Sequence, residues 1–162
     1  MNSLRYIFIA MIFLFAFACK SPKSAASGEG NLLEAEKIAE GGFCGIEEPS
    51  NLLITNVADW EALWAKVTAN RSPVPPLPPI DFETKSVLAC FIGNQNSGGH
   101  SVVIQQVAET GNALNVSLLH TKPGAGCFVT DVLTQPYYIA AVNKGKFREA
   151  SFSIESAAKE CK

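Results

Sequence analysis

Apolar residues recur along this chain with two different periods, and the period separates one helix from several strands. After Asn56, the apolar positions follow the spacing of a single helix face: Trp60, Leu63, Trp64 and Val67. Asn56 is a favourable N-cap residue, and Asp59 places a negative charge in the first turn, where it stabilises a helix start. We therefore expect one amphipathic helix that buries both tryptophans.

Most other apolar segments are typical of strands. Residues 86–92 (SVLACFI) are nearly all apolar, as expected for a central strand that is buried on both faces. A short strand is expected at 52–55. Two pairs of segments flank turn sequences and predict β-hairpins: 101–108 with 113–120, and 137–142 with 147–154.

Two segments do not fit these periods. Residues 32–40 (LLEAEKIAE) are compatible with either helix or strand, and residues 71–79 (RSPVPPLPP) contain five prolines, which favour an extended, rigid connector. One helix and about six strands with short turns predict an α+β fold. We expect a mostly antiparallel sheet of about six strands, with the one principal helix packed on one face.

The N-terminus has the pattern of an export signal. Arg5 precedes thirteen residues without charge, 6–18, a length typical of a signal peptide and short for a membrane-spanning helix. Ala16 and Ala18 are small, and Cys19 follows them directly, so the segment resembles the lipobox of bacterial lipoproteins. This resemblance implies cleavage before Cys19 and lipid attachment to its thiol. An uncleaved anchor or an ordinary signal peptide is the alternative.

The residues after Cys19 divide into a tether and a domain. Residues 20–30 (KSPKSAASGEG) are small and polar, and cannot bury enough apolar surface to fold alone. We expect a signal peptide at 1–18, a lipidated cysteine with a flexible tether at 19–30, and a single domain at 31–162. The predicted location is the bacterial cell envelope, anchored to a membrane on its periplasmic or surface face.

The charge composition argues against nucleic acid as a partner. With 13 basic and 15 acidic side chains and no basic cluster, the chain has no feature of a nucleic-acid-binding protein.

Once Cys19 is assigned to lipid, an even number of cysteines remains as disulfide candidates: Cys44, Cys90, Cys127 and Cys161. An exported domain with four cysteines fits two disulfides, with three possible pairings. Cys90 lies in an apolar run, so a buried free thiol is the other interpretation.

Few residues are candidates for catalysis. His100 follows a glycine-rich loop and His120 ends a predicted strand, so both could lie at one end of the sheet, where Ser97 or Asp131 could join them. However, no nucleophile motif surrounds a serine, and the glycine loop lacks the pattern and the lysine of a phosphate-binding loop. We therefore expect a non-enzymatic protein without a metal site or a cofactor.

The order of features resembles the C-terminal domain family of the protease complex subunit PrcB, over roughly residues 42–144. The similar segments are GFCGI at 42–46, DWEALW at 59–64, DF at 81–82 with the strand 87–93, SGGHSV at 97–102, VT at 129–130 and TQPY at 134–137. The family more often has a tyrosine at the position of His100. The resemblance implies an accessory role, since the family takes its name from a lipoprotein that associates with a surface protease.

We expect a protein-binding accessory or stabilising subunit of an envelope or surface complex, such as a protease complex. The candidate binding loops are formed by Ser97, Gly98, Gly99, His100, Pro136 and Tyr137. Two alternatives remain open. One is a small-molecule-binding or protease-inhibitor module that uses the loop 94–100 and the turn 122–126. The other is a hydrolase that uses His100 or His120.

Overall fold

The computed structural model describes residues 30–161, which contain eight strands and one helix. The elements in chain order are β1 (Asn31–Leu33), β2 (Ala35–Gly41), β3 (Ser50–Ile54), α1 (Val57–Val67), β4 (Lys85–Phe91), β5 (Ser101–Thr110), β6 (Ala113–Pro123), β7 (Tyr137–Asn143) and β8 (Glu149–Lys159). The ambiguous segment at 32–40 is thus strand. The expected signal peptide, Cys19 and most of the tether lie outside the described residues.

The strands form two four-stranded sheets, in the orders β1-β5-β6-β8 and β2-β7-β4-β3. The prediction of one sheet with about six strands is therefore wrong. Every pairing is antiparallel except that of β6 with β8, which is parallel. The coarser expectation of an α+β fold with mostly antiparallel strands and one principal helix is confirmed, and strands predominate.

The helix forms where its sequence pattern predicts it. The Asn56 side chain accepts a hydrogen bond from the Asp59 backbone N–H at 2.9 Å and caps the N-terminus. The indole N–H groups of Trp60 and Trp64 donate to the carbonyl oxygens of Pro78 and Pro75, at 3.0 and 3.2 Å. Because these bonds satisfy both indoles, the proline-rich connector is held against α1 and the tryptophans can be buried without an unpaired donor.

Two hydrophobic clusters divide the molecule into three layers. The first joins α1 to one face of the sheet β2-β7-β4-β3 and contains both tryptophans, Phe91 of β4 and Ile139 of β7. The second fills the space between the two sheets and contains Leu88 of β4 together with apolar residues of β5 and β6. β4 contributes to both clusters, which is why its sequence is nearly all apolar.

The predicted hairpin of 101–108 with 113–120 is present as β5 and β6. The second predicted hairpin is wrong, because β7 pairs with β2 and β4 whereas β8 pairs with β6 in the other sheet. β7 is buried, so the backbone N–H and C=O groups on both of its edges need partners, which β2 and β4 supply. β8 is largely exposed and lies at a sheet edge. The turn residues 144–148 therefore connect two sheets.

Among the described residues there is no helix with both the length and the apolar character that crossing a membrane requires.

Candidate interaction site

Two loops meet at the edge of the sheet where β4 ends and β7 begins. The first is the glycine-rich segment 93–100 between β4 and β5, and the second is the segment 124–136 between β6 and β7. The Gly98 backbone N–H donates to the carbonyl oxygen of Thr130 at 2.9 Å, and Gln95 and Thr134 form an isolated antiparallel bridge. The Thr134 hydroxyl also donates to the carbonyl oxygen of Ser97 at 2.8 Å. These bonds hold the two loops side by side.

The glycines of the first loop are required by this close contact. Gly99 has a φ of +84°, a conformation that side chains disfavour. A Cβ atom at Gly98 would lie 2.4 Å from the Thr130 hydroxyl oxygen, and one at Gly99 would lie 3.0 Å from Val129 Cγ1. Gly98 and Gly99 therefore allow the loops to approach each other, so their presence needs no ligand to explain it.

The second loop is fixed at its other end by a disulfide. Cys127 is bonded to Cys161, which follows β8. Next to this bond, the backbone N–H of Gly124 donates to the carbonyl oxygen of Lys159 at 3.0 Å. The loop is thus attached to β8 at one end and to the glycine loop at the other.

The residues between these attachments carry exposed apolar side chains. Phe128 is fully exposed, Leu133 is 50% exposed, and Val129 and Val132 are each 41% exposed. We call these four residues the apolar loop. Large apolar side chains that are held out into solvent on a constrained segment are a feature of interaction surfaces. Sequence reasoning did not identify this surface, although its apolar residues stand in a segment that fits neither a helix nor a strand.

The two histidines meet beside the loops, as the sequence suggested they could. His100 Nδ1 lies 3.1 Å from His120 Nε2. Burial lowers the pKa of His100, with a further contribution from the positive charge of Lys122. Burial also lowers the pKa of His120, followed by the effects of His100 and Lys122. Both imidazoles are therefore favoured in the neutral form, in which the ring N–H of one can donate a hydrogen bond to the unprotonated ring nitrogen of the other.

The residues that could have completed a catalytic group are placed differently. The Ser97 hydroxyl donates to the carbonyl oxygen of Gly98 at 3.2 Å, and Asp131 is exposed. Over residues 30–161, no group of three or more histidine, cysteine, aspartate or glutamate side chains is arranged to hold a metal ion. The histidine pair thus consists of two imidazoles within hydrogen-bond distance of each other at the end of a sheet.

Two of the candidate binding residues are buried. Pro136 accepts a hydrogen bond from the Ile92 backbone N–H at 3.0 Å, and Tyr137 is only 2% exposed. The Tyr137 hydroxyl accepts a hydrogen bond from the Arg71 guanidinium at 2.8 Å, and that guanidinium also lies 5.9 Å from the centre of the tyrosine ring. Pro136 is therefore bonded to the end of β4, Tyr137 joins the connector to the sheet, and the exposed apolar side chains of the same loop are those of the apolar loop.

The remaining cysteines do not form the second disulfide. Within the described part of the chain, Cys44 and Cys90 are buried free thiols. Cys44 belongs to the cluster between helix and sheet, whereas Cys90 belongs to the cluster between the two sheets. They lie on opposite faces of one sheet, so the fold keeps them apart. The expectation of two disulfides is corrected to one, with Cys90 as the buried thiol that its apolar surroundings suggested.

Comparison with known proteins gives one match. No curated protein and no solved structure matches the chain. The segment from the second residue of β4 to the end of β7, which includes both loops and His100, His120 and Cys127, is covered by a match to a family model. Cys161 and β8 lie beyond it. Residues 86–143 match the model described as PrcB C-terminal, which confirms the resemblance to that family.

Proposed function

We propose that this protein is a non-catalytic, lipid-anchored accessory subunit that binds another protein of the cell envelope through its apolar loop. The family match suggests that the complex contains a protease. The lipobox-like sequence at Cys19 and the small, polar residues after it support a tethered domain. The bond between Cys127 and Cys161 supports an oxidising compartment, since structural disulfides are rare in the cytosol.

The observation that carries this proposal is the exposure of Phe128 on a segment that is attached at both ends. Because the backbone of this segment is already constrained, little backbone freedom is lost when Phe128 binds. Aromatic residues also account for a large share of the binding energy in protein interfaces. Val129, Val132 and Leu133 extend the apolar area around Phe128. A protein surface with a complementary apolar recess fits this arrangement.

The histidine pair supports a non-catalytic role. A general base must reach the group whose proton it removes. Here His100 and His120 contact each other, and the Ser97 hydroxyl contacts a backbone carbonyl oxygen. The small-molecule alternative is less favoured, because the largest apolar side chains of the second loop, Phe128 and Leu133, are exposed to solvent. The cavity of about 270 Å³ that Leu53, Leu63 and Lys66 help to line lies elsewhere, between β3 and α1.

The test is affinity capture from native membranes with three forms of the full chain: the wild type, Phe128→Asp/Leu133→Asp and Val74→Asp. Val74 is 67% exposed and lies in the connector, so it is a matched control for a new charge on an exposed apolar residue. We expect the wild type and the control to retain the same protein, and the double variant to lose it. Equal recovery by all three forms would contradict binding through the apolar loop. A retained protein from outside any protease complex would contradict that part of the proposal.

The anchor is tested separately with Cys19→Ser. We expect this variant to leave the membrane fraction, and the wild-type chain to begin at an acylated Cys19 by intact-mass measurement. A mature wild-type chain without acyl mass would overturn the anchor and leave the binding surface untouched.

A further inference from the structure

β8 presents a long, regular strand edge to solvent. It is the last strand of its sheet, and its only pairing among the described residues is with β6. It spans 11 residues, most of them exposed. The backbone N–H and C=O groups on its outer side are free to pair with another strand.

The other sheet edges are shorter than β8. β1 has only 3 residues and β3 has 5. β2 carries three charged residues and a register irregularity between Lys37 and Ala39. Short length, charges and bulges are the usual means by which edges avoid pairing. β8 is the longest of the four edge strands, with 11 residues. Its charged residues Glu149, Glu155 and Lys159 lie outside the segment Ala150–Ile154, which contains no charge, proline or glycine, so this segment has the features of an edge that pairs.

A hydrogen bond at the C-terminal end of β8 indicates which residues near that end direct their backbone groups outward. The Lys159 carbonyl oxygen accepts from Gly124, on the β6 side. Backbone groups of alternate residues point to opposite edges of a strand, so Ile154 and Ser156 direct theirs away from β6. An antiparallel partner placed opposite Ile154 would therefore meet an outward-facing N–H and C=O.

The charges at the two ends of β8 select one self-paired register. If two copies of β8 run antiparallel with Ile154 at the centre, Glu149 of one copy lies opposite Lys159 of the other. This pair occurs twice in a symmetric dimer, and opposite charges across a strand pair are stabilising.

Neighbouring registers lose this match. When the centre moves to Glu155, two glutamates from the two copies face each other. When it moves to Ser153, Glu149 faces Ala157 and Lys159 faces Phe147. Ile154, which is 46% exposed, faces its own copy only in the register with the favourable charges. The cross-strand charge pairs and the direction of the backbone groups therefore favour the same register, which is centred on Ile154.

We propose that β8 is a self-association surface, and that two copies of this chain join their β1-β5-β6-β8 sheets into one continuous sheet by antiparallel β8 pairing centred on Ile154. This surface is separate from the apolar loop, and the inference does not depend on the proposed protein partner.

Charge reversal tests the register. The measurement is native mass spectrometry of the full chain released from detergent micelles. We expect a wild-type dimer. Glu149→Lys alone or Lys159→Glu alone places like charges opposite each other at two positions, and should weaken the dimer by about tenfold or more. The double variant Glu149→Lys/Lys159→Glu restores opposite charges and the dimer. An equimolar mixture of the two single variants should form a heterodimer, because every pair in it is complementary.

A backbone substitution tests the edge itself. Ser156→Pro removes an N–H that points away from β6, so the fold should remain intact by circular dichroism while the dimer is lost. Ser156→Ala is the matched control and should dimerise like the wild type.

A wild-type monomer would overturn the proposal, as would a dimer that tolerates both single charge reversals or Ser156→Pro. The chain could instead be monomeric on its own and bind another protein that the Ser156→Pro variant does not bind. The β8 edge would then pair with a strand of that other protein, and this result would also overturn self-pairing.

Discussion

The disulfide between Cys127 and Cys161 joins the base of the loop that carries Phe128 to the end of β8. The bond closes a loop with a sequence separation of 34 and connects the segment that matches the PrcB C-terminal model to a strand outside it. It thereby positions the apolar loop relative to a sheet edge that the matched segment does not contain.

Removing this disulfide should destabilise the protein. Constraint of the unfolded chain by a loop of this length contributes about 3–4 kcal/mol. We expect Cys127→Ser/Cys161→Ser to lower the free energy of unfolding by that amount in urea titrations of the full chain. Reductant should destabilise the wild type to the same level and leave the variant unchanged. Equal stability of wild type and variant without reductant would show that the bond is absent in solution.

Replacing Trp60 should be among the most destabilising core substitutions. Trp60 is 1% exposed, and its indole N–H is bonded to Pro78. We expect Trp60→Ala to lower the free energy of unfolding by about 3–5 kcal/mol, because it leaves a cavity and an unpaired carbonyl oxygen. Val74→Ala, at an exposed position, should change it by less than about 0.5 kcal/mol. Similar effects of both substitutions would contradict the packing of α1 on the sheet.

Both tryptophans could be placed from the sequence because a helix face is a local pattern. The spacing of Trp60, Leu63, Trp64 and Val67 within one helix determines which side is buried. β4 was similarly evident, since a strand buried on both faces must be apolar throughout. Asn56 marked the start of the helix by its own side chain.

The placement of β8 could not be obtained in this way. The turn sequence 143–146 is equally compatible with a hairpin and with a connection between two sheets. The choice depends on whether β7 gains β2 as a neighbour, a contact that is distant in sequence. The exposure of Phe128 is also a tertiary property, because it depends on how Gly98 and Cys161 hold the loop.

The histidine pair should make stability fall as pH decreases. Both pKa values are lowered in the folded protein, so the unfolded chain binds protons first as pH drops through about 6.5. The stability associated with the neutral pair is fully present above that pH and is lost below it, down through the lower folded values. We expect His100→Gln/His120→Gln to reduce the slope of unfolding free energy against pH between about pH 7 and pH 5. An unchanged slope would contradict the neutral pair.

Neither free thiol in the described part of the chain should react in the folded state. Burial raises the pKa of the Cys90 thiol to about 12 and also raises the pKa of Cys44. Because the thiolate is the reactive form, iodoacetamide at neutral pH should label neither residue until the chain unfolds. Peptide mapping by mass spectrometry, before and after denaturant, measures this. Rapid labelling of Cys90 in the native protein would contradict its position between the sheets.

Site-specific photo-cross-linking in native membranes tests the central claim most directly. A photoreactive amino acid replaces Phe128 in one form of the full chain and Val74 in a matched control. We expect one defined protein adduct from position 128 and no such adduct from position 74. The same adducts from both positions, or no adduct from position 128, would contradict the assignment of the apolar loop as the surface through which this protein binds its partner.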